Sequence, residues 1–292
     1  MADRVRFGPA GFPIGFKGAV TEVPSYLKDE GLDAFEYQAV RWSVKPRIKR
    51  EVAEEFRAKA SENDIWVTMH GSYFINLAGK EEVVKKSIER LKACLEAAQW
   101  LGAEGVVFHP GFYGGKAPAE ALKTCIRAIG ELVEYMESRG FKTYLRPETT
   151  GKPSQLGSLE EILDMCSRFK LVEPTIDWAH IHARGRGSLK SKDDYLRVFE
   201  KIERVLGSRS IETLHFHFTH VEYGDKGEVR HRTLEEPYGP SFDLLAEVIV
   251  ENGYKPVIIS ESPILDLDSL KMKKAVESLK ARGVACGGRP DR

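Results

Sequence analysis

Net charge of either sign is missing from this chain: 44 Lys and Arg balance 44 Asp and Glu. No whole-molecule field therefore attracts nucleic acid or a membrane, and any polyanionic partner must meet a local basic patch. Long apolar runs are missing too. No window approaches the ~18 uninterrupted apolar residues of a membrane-crossing helix, and the opening MADRVRFGPAG lacks the apolar core of a signal peptide, so a cytoplasmic location is expected. Cysteine is scarce: Cys94, Cys125, Cys166 and Cys286 form no CxxC pair. They read as small core residues in a reducing compartment, and a disulfide framework is not expected. Nor does any Pro-, Gly- or Ser-rich linker divide the 292 residues. One domain over residues 1–283 is expected, with 284–292 as a flexible tail.

What is present is one unit, repeated. Short apolar or β-branched runs (VRFGPAG, AFEYQ, WVTMHG, GVVFHPG, KTYLRPET, PTIDWAH, ETLHFHFTH, KPVIISESP) alternate with longer amphipathic ones such as VKPRIKREVAEEFRAKASEND. In the longer runs apolar residues recur at helical spacing, as with Val83, Val84, Ile88, Leu91 and Leu95. Several close on a glycine suited to a C-terminal cap: Gly31, Gly102, Gly140, Gly207, Gly253 and Gly283. Strand–helix alternation implies parallel pairing through right-handed crossovers. Eight such units fit an α/β chain folded as a (β/α)8 TIM barrel better than a doubly wound sheet.

In such a barrel the chemistry sits at the C-terminal ends of the strands. Read that way, strand 3 ends in His70, strand 4 in His109, strand 5 in Glu148, strand 6 in Asp177 and His180, strand 7 in His217 and strand 8 in Glu261. One histidine at a strand end is usually hydrogen-bonded structure. Seven His, Asp and Glu side chains on one rim are different, because carboxylates brought together repel unless cations lie between them. Mixed imidazole and carboxylate ligation suits zinc first, with manganese or iron also compatible. Along an extended strand His215 and His217 point the same way; His217 lies nearer the rim, and His215 belongs to a deeper layer. His220 falls in the following loop. His231 follows the turn YGDKGE, whose glycines allow a hairpin back over the mouth toward His180.

The motifs HGSYFINLA (70–78), VFHPG (107–111), PETTGKPSQLGS (147–158), IDWAH (176–180), HFHFTH (215–220) and SESP (260–263) resemble those of endonuclease IV, the metal-dependent apurinic/apyrimidinic endonuclease family. The resemblance runs from strand 1 to helix 8, in family order and spacing. It implies a barrel with three zinc ions: one on His70, His109 and Glu148; a second on Glu148, Asp177, His217 and Glu261; a third on His180 and His231 with a carboxylate two residues before the latter. That position here is Val229, a departure from the pattern; Glu228 substitutes if the loop is reshaped, and Asp225 is a weaker candidate.

The implied activity is hydrolysis of the phosphodiester 5′ to an abasic site in double-stranded DNA. The chemistry suits two cations bridged by Glu148, which supply a hydroxide nucleophile at neutral pH and neutralise phosphoryl charge. Glu261 is a ligand first and a base second. An abasic nucleotide is unstacked and so inexpensive to extrude. Tyr73 matches a family position against the DNA, although a rim tyrosine of no special role would look the same. Arg41 and Trp42 are candidates to insert at the gap, beside Lys45, Arg47, Lys49 and Arg50; Arg184 and Arg186 are candidates for phosphate. The rival reading is a sugar isomerase or epimerase on the same kind of barrel, since fold does not fix function. A metal-stabilised nucleic-acid-binding protein without catalysis ranks last, because Glu148 is in place. A neutral chain with a complete barrel is expected to be a monomer.

Overall fold

In AFEYQ, Phe35 turns outward onto Phe56 of the next helix, ring centroids 5.7 Å apart, while fully buried Glu36 reaches the histidines of HFHF across the barrel. This alternation is the two-residue period of a strand with a helix on one side and the barrel interior on the other. The computed structural model describes residues 4–212 and 214–283; the expected tail, 284–292, and Cys286 lie outside the described residues. The barrel strands are β1 (Arg6–Pro9), β2 (Ala34–Gln38), β3 (Trp66–His70), β4 (Gly105–Phe108), β5 (Tyr144–Pro147), β6 (Thr175–Asp177), β7 (His215–Phe218) and β8 (Val257–Ser260). They are parallel and form two sheets, in the order β1-β8-β7-β6 and β2-β3-β4-β5. Single bridges close the two seams: Ala10–Glu36 beside β1 and β2, and Glu148–Thr175 with Leu145–Val172 between β5 and β6.

The outer helices are α1 (Val23–Glu30), α2 (Arg50–Glu62), α3 (Glu81–Leu101), α4 (Pro118–Arg139), α5 (Leu159–Ser167), α6 (Lys192–Leu206), α7 (Phe242–Asn252) and α8 (Leu265–Ala281). Gly31, Gly102, Gly140 and Gly253 cap their helices in the left-handed conformation. Gly207, by contrast, follows α6 at φ 84° and ψ 168°, a conformation open to glycine but outside the left-handed helical region. The layer between strands and helices is close-packed aromatic: Trp178 lies 5.2 Å from Phe216 and 5.5 Å from Phe199. Burying each such ring is worth roughly 2–3 kcal/mol. Cys94, Cys125 and Cys166 are buried free thiols. Among the described residues no helix is long and apolar enough to cross a membrane.

Three elements depart from the sequence reading. Helix α2 starts at Arg50, so Lys45, Arg47 and Lys49 stand on an exposed loop; Pro46 disfavours helix in the residue before it. Strand β6 stops at Asp177, whose carboxylate accepts from His180 N at 2.7 Å and caps a short helix, Trp178–Arg184. His180 is thus helical and does not end the strand. The hairpin after β7 forms as the glycines of YGDKGE allow, His220–Gly224 with Gly227–Arg232, but His220, expected in a loop, opens its first strand.

Candidate metal centre

Glu148 follows the proline that ends β5, is fully buried, and anchors its own N–H on Phe108 O at 3.0 Å. Its two oxygens face two different groups. Oε2 lies 3.3 Å from His70 Nε2 and 3.0 Å from His109 Nε2; Oε1 lies 3.2 Å from His217 Nδ1 and 3.3 Å from His180 Nδ1. Donor atoms within 4.8 Å of one another group as His70, His109 and Glu148; as Glu148, Asp177, His217 and Glu261; and as Asp177, His180 and His231. Any of the three could hold a divalent ion, and Glu148 and Asp177 are each shared by two.

Backbone carbonyls aim the rings. His70 Nδ1 lies 2.9 Å from Gly71 O, His180 Nδ1 2.8 Å from Thr149 O, and His231 Nδ1 2.9 Å from Glu261 O. A ring that donates from Nδ1 to a carbonyl keeps the Nε2 lone pair for the centre, the arrangement metal-binding histidines favour.

The electrostatics ask for a cation. Burial, reinforced by Glu261 and Glu148, pushes the Asp177 carboxyl up to about 6 although His180 opposes it. Burial works against the charge on His70, yet the hydrogen bond and charge of Glu148 raise it to about 9. Asp177 Oδ2 and His231 Nε2 are buried with no hydrogen-bond partner. Orphaned polar atoms are costly unless something binds them. Asp177 and His231 belong to one donor group with His180, so an ion held there would give both a partner.

The third group is completed by a register shift. Along the hairpin Val221 pairs with His231 and Glu222 with Arg230, but Tyr223 pairs with Glu228, so Val229 is skipped as a bulge. The extra residue exchanges the faces on which its neighbours point. Val229 stands 59% exposed, while Glu228 turns inward, 3.3 Å from His180 Nε2 and 3.5 Å from His231 Nε2. Burial raises the Glu228 carboxyl, but His180 and then His231 hold it down to about 2. The descent of the hairpin requires glycine twice. A Cβ on Gly227, at φ +88°, would meet Gly151 O at 2.2 Å, and one on Gly151 would meet Glu228 Cβ at 2.8 Å. Asp225 is exposed at the turn, away from this group.

Around the rim, Tyr73 is 58% exposed, edge-on to His70 at 5.5 Å and over His109 at 6.2 Å. Arg41 and Arg186 are exposed, the latter with φ +50°. Two expected contacts need correction. Trp42 is buried against Tyr37, because its ring gains more from the core than from the rim. Arg184 is already engaged: its guanidinium binds the carbonyls of Lys152 and Gln155 at 2.8 and 3.0 Å and Tyr113 Oη at 3.2 Å, pinning the loop after Glu148. His220 is half-buried on Glu236 O, outside the three groups. The sequence reading missed Glu36. Its only signal was an acid at an inward position of β2, and the structure sets it 3.2 Å from His215 and 3.0 Å from His217.

Fold and rim together define a TIM barrel whose mouth gathers a candidate multi-ion site. The chain belongs to the xylose isomerase-like TIM barrel family, whose model matches residues 24–282. It is 32% identical over 274 residues to an uncharacterized protein of Methanocaldococcus jannaschii, covering 94% of this chain and 97% of that one. It is 26% identical over 242 residues to a probable endonuclease 4 of Aquifex aeolicus, covering 78% and 82%. Endonuclease IV from Thermus thermophilus superposes with TM-score 0.70 at 23% identity, covering 94% of this chain and 99% of that one. A D-tagatose 3-epimerase-like protein superposes with TM-score 0.67 at 20% identity, covering 90% and 95%. At these identities the two superpositions speak for the fold alone.

Proposed function

We propose that the protein is a metal-dependent phosphodiesterase that incises duplex DNA 5′ to an abasic site and leaves a 3′-hydroxyl. The observation that carries this reading is the number of donor groups. His70 and His109 on one side of Glu148, and His180, His231 and Glu228 beyond Asp177, extend the Glu148, Asp177, His217, Glu261 group in both directions. Proton transfer on a sugar needs one or two ions and an acid–base pair; hydrolysis of a phosphodiester puts negative charge on an attacking oxygen, on the two non-bridging oxygens and on a leaving oxygen, and three adjacent cation sites match that spread of charge. Bound there, zinc or manganese supplies a nucleophile at neutral pH and neutralises phosphoryl charge.

The chain's own residues do the rest. Glu148 would serve two of the sites, Asp177 the second and the third, and Glu261 would help to hold an ion and to orient the attacking water. Tyr73 covers the His70–His109 face and excludes solvent on that side, while Arg41 and exposed Arg186 meet the DNA backbone. The 26% identity to a probable endonuclease 4 supports the same reading.

The experiment is incision of a duplex with one abasic site by zinc-loaded protein, beside an undamaged duplex and a chelated control. Cleavage at the lesion alone, abolished by chelation and by Glu148→Gln, is the expected result. Full metal loading without cleavage would sink it. The carboxylate-rich group Glu148, Asp177, His217 and Glu261 taken by itself favours a second reading, a sugar isomerase or epimerase that uses this group only. Ketose turnover by protein inactive on DNA would establish that instead.

A further inference from the structure

Beneath the three groups lies a polar cluster that shares only His217 with them. Glu36 of β2 is fully buried, as are His217 and Thr68, and His215 is 1% exposed. Its Oε2 is 3.0 Å from His217 Nε2, 3.2 Å from His215 Nε2 and 3.1 Å from the Thr68 hydroxyl that donates to it; its Oε1 accepts from Gln38 Nε2 at 3.1 Å. A carboxylate taken wholly out of water is tolerated only when donors satisfy it, and here four do.

We propose that Glu36 is a positioning residue for His217, accepting a hydrogen bond from Nε2–H so that the Nδ1 lone pair faces Glu148 and Glu261. The geometry leaves little choice. His217 Nδ1 lies 3.2 Å from Glu148 Oε1 and 3.3 Å from Glu261 Oε1, on the side of the ring opposite Glu36. An imidazole that donates from one nitrogen to a carboxylate is locked in tautomer and orientation and becomes a more basic ligand at the other. Glu36 belongs to the β2–β5 sheet and His217 to the other, so the hydrogen bond spans the barrel interior. His215 steadies the carboxylate from one strand position deeper on the same face. Glu36, His215 and His217 are themselves close enough to surround an ion. But an ion there would have to displace donors from a carboxylate already satisfied at both oxygens, and would need the His217 Nε2 proton removed.

The inference rests on the reading of Glu148, Asp177, His217 and Glu261 as an ion site, and the experiment separates the two. Zinc stoichiometry and affinities are measured by chelator competition for the full chain and for Glu36→Gln, Glu36→Asp and His215→Ala, with thermal unfolding of each metal-free form as the folding control. The expected result is an unchanged zinc count at saturation in every variant. In Glu36→Gln one zinc binds about 10–100-fold more weakly and the others within about threefold of the original; Glu36→Asp recovers part of the loss. A role in stability alone would lower the metal-free unfolding temperature and leave every affinity in place, which overturns the proposal. So would loss of one whole zinc equivalent in both Glu36→Gln and His215→Ala, since Glu36 would then be a ligand of its own ion. A parent protein that binds no zinc refutes the ion-site reading itself.

Discussion

His70 carries the pH signature of the centre. Its folded-state pKa, about 9, stands above the ordinary 6.5 because Glu148 more than offsets the effect of burial. A histidine raised on folding contributes stability that is complete below pH 6.5 and is lost as pH rises through 9. For His70 that is at most about 3 kcal/mol. His180 and His217 are shifted the same way by their carboxylates, against burial. Asp177, raised by burial to about 6, adds a loss between its ordinary 3.8 and 6. The metal-free protein should therefore unfold at lower temperature at pH 9 than at pH 6, and His70→Asn should flatten the upper part of that dependence. Thermal unfolding in chelator across this range is the check; equal midpoints at the two pH values would show that the imidazoles are not held as cations by their neighbours. In the loaded protein the ions take the place of these protons, and the dependence should vanish above neutrality.

The hairpin is where an element, more than any residue, decides the chemistry. A regular ladder would turn Val229 inward and Glu228 out; the bulge reverses them, and Gly151 makes room for the result. Gly151→Ala should leave the barrel folded, since Gly151 does not need a positive φ, yet push Glu228 away from His180 and His231. Loss of a carboxylate ligand predicts roughly tenfold or more weaker binding of one ion and little change in the others. Elemental analysis after dialysis against a weak chelator reads this directly, and an undiminished metal content would mean that Glu228 is no part of the site. The same element shows where sequence reasoning stops. Strand and helix order was legible because apolar periodicity and glycine caps are local, and His70, His109, Glu148 and His217 because they follow apolar runs. The bulge was not, for it depends on cross-strand register. Nor was the short helix after Asp177, which begins with a cap three residues into a strand. Glu36 was hidden for a third reason: an isolated acid in AFEYQ has no partner within its own stretch, and its meaning comes from His215 and His217, 179 and 181 residues away.

On the scale of the molecule, the candidate centre lies across a weak line. Each half-barrel is a continuous parallel sheet, but the halves are joined by isolated bridges and a few backbone hydrogen bonds in place of a ladder, and both seams involve acids of the interior: Glu36 opposite Ala10 and Glu148 opposite Thr175. One donor group, Glu148, Asp177, His217 and Glu261, crosses between the halves. His70, His109 and Glu148 come from the β2–β5 half, whereas Asp177, His217 and Glu261 belong to or directly follow strands of the other. Ions shared through Glu148 would stitch the halves together at the rim, and their removal should loosen the seams before the sheets. At a free metal concentration 100-fold above the dissociation constant, each site adds about 2.7 kcal/mol of stability. Chelation should therefore lower the unfolding temperature, and hydrogen exchange should show where the loss begins. The Thr149 amide, bonded across the β5–β6 seam to Thr175 O at 3.1 Å, reports on the seam. The Ile258 amide lies in β8, paired on both sides within one sheet. Chelation should widen the gap in protection between them by about tenfold or more, the signature of a partial opening worth at least about 1.4 kcal/mol less than whole unfolding. If the two amides lose protection in equal measure, the ions stabilise the barrel only as a whole and the seam has no independent opening.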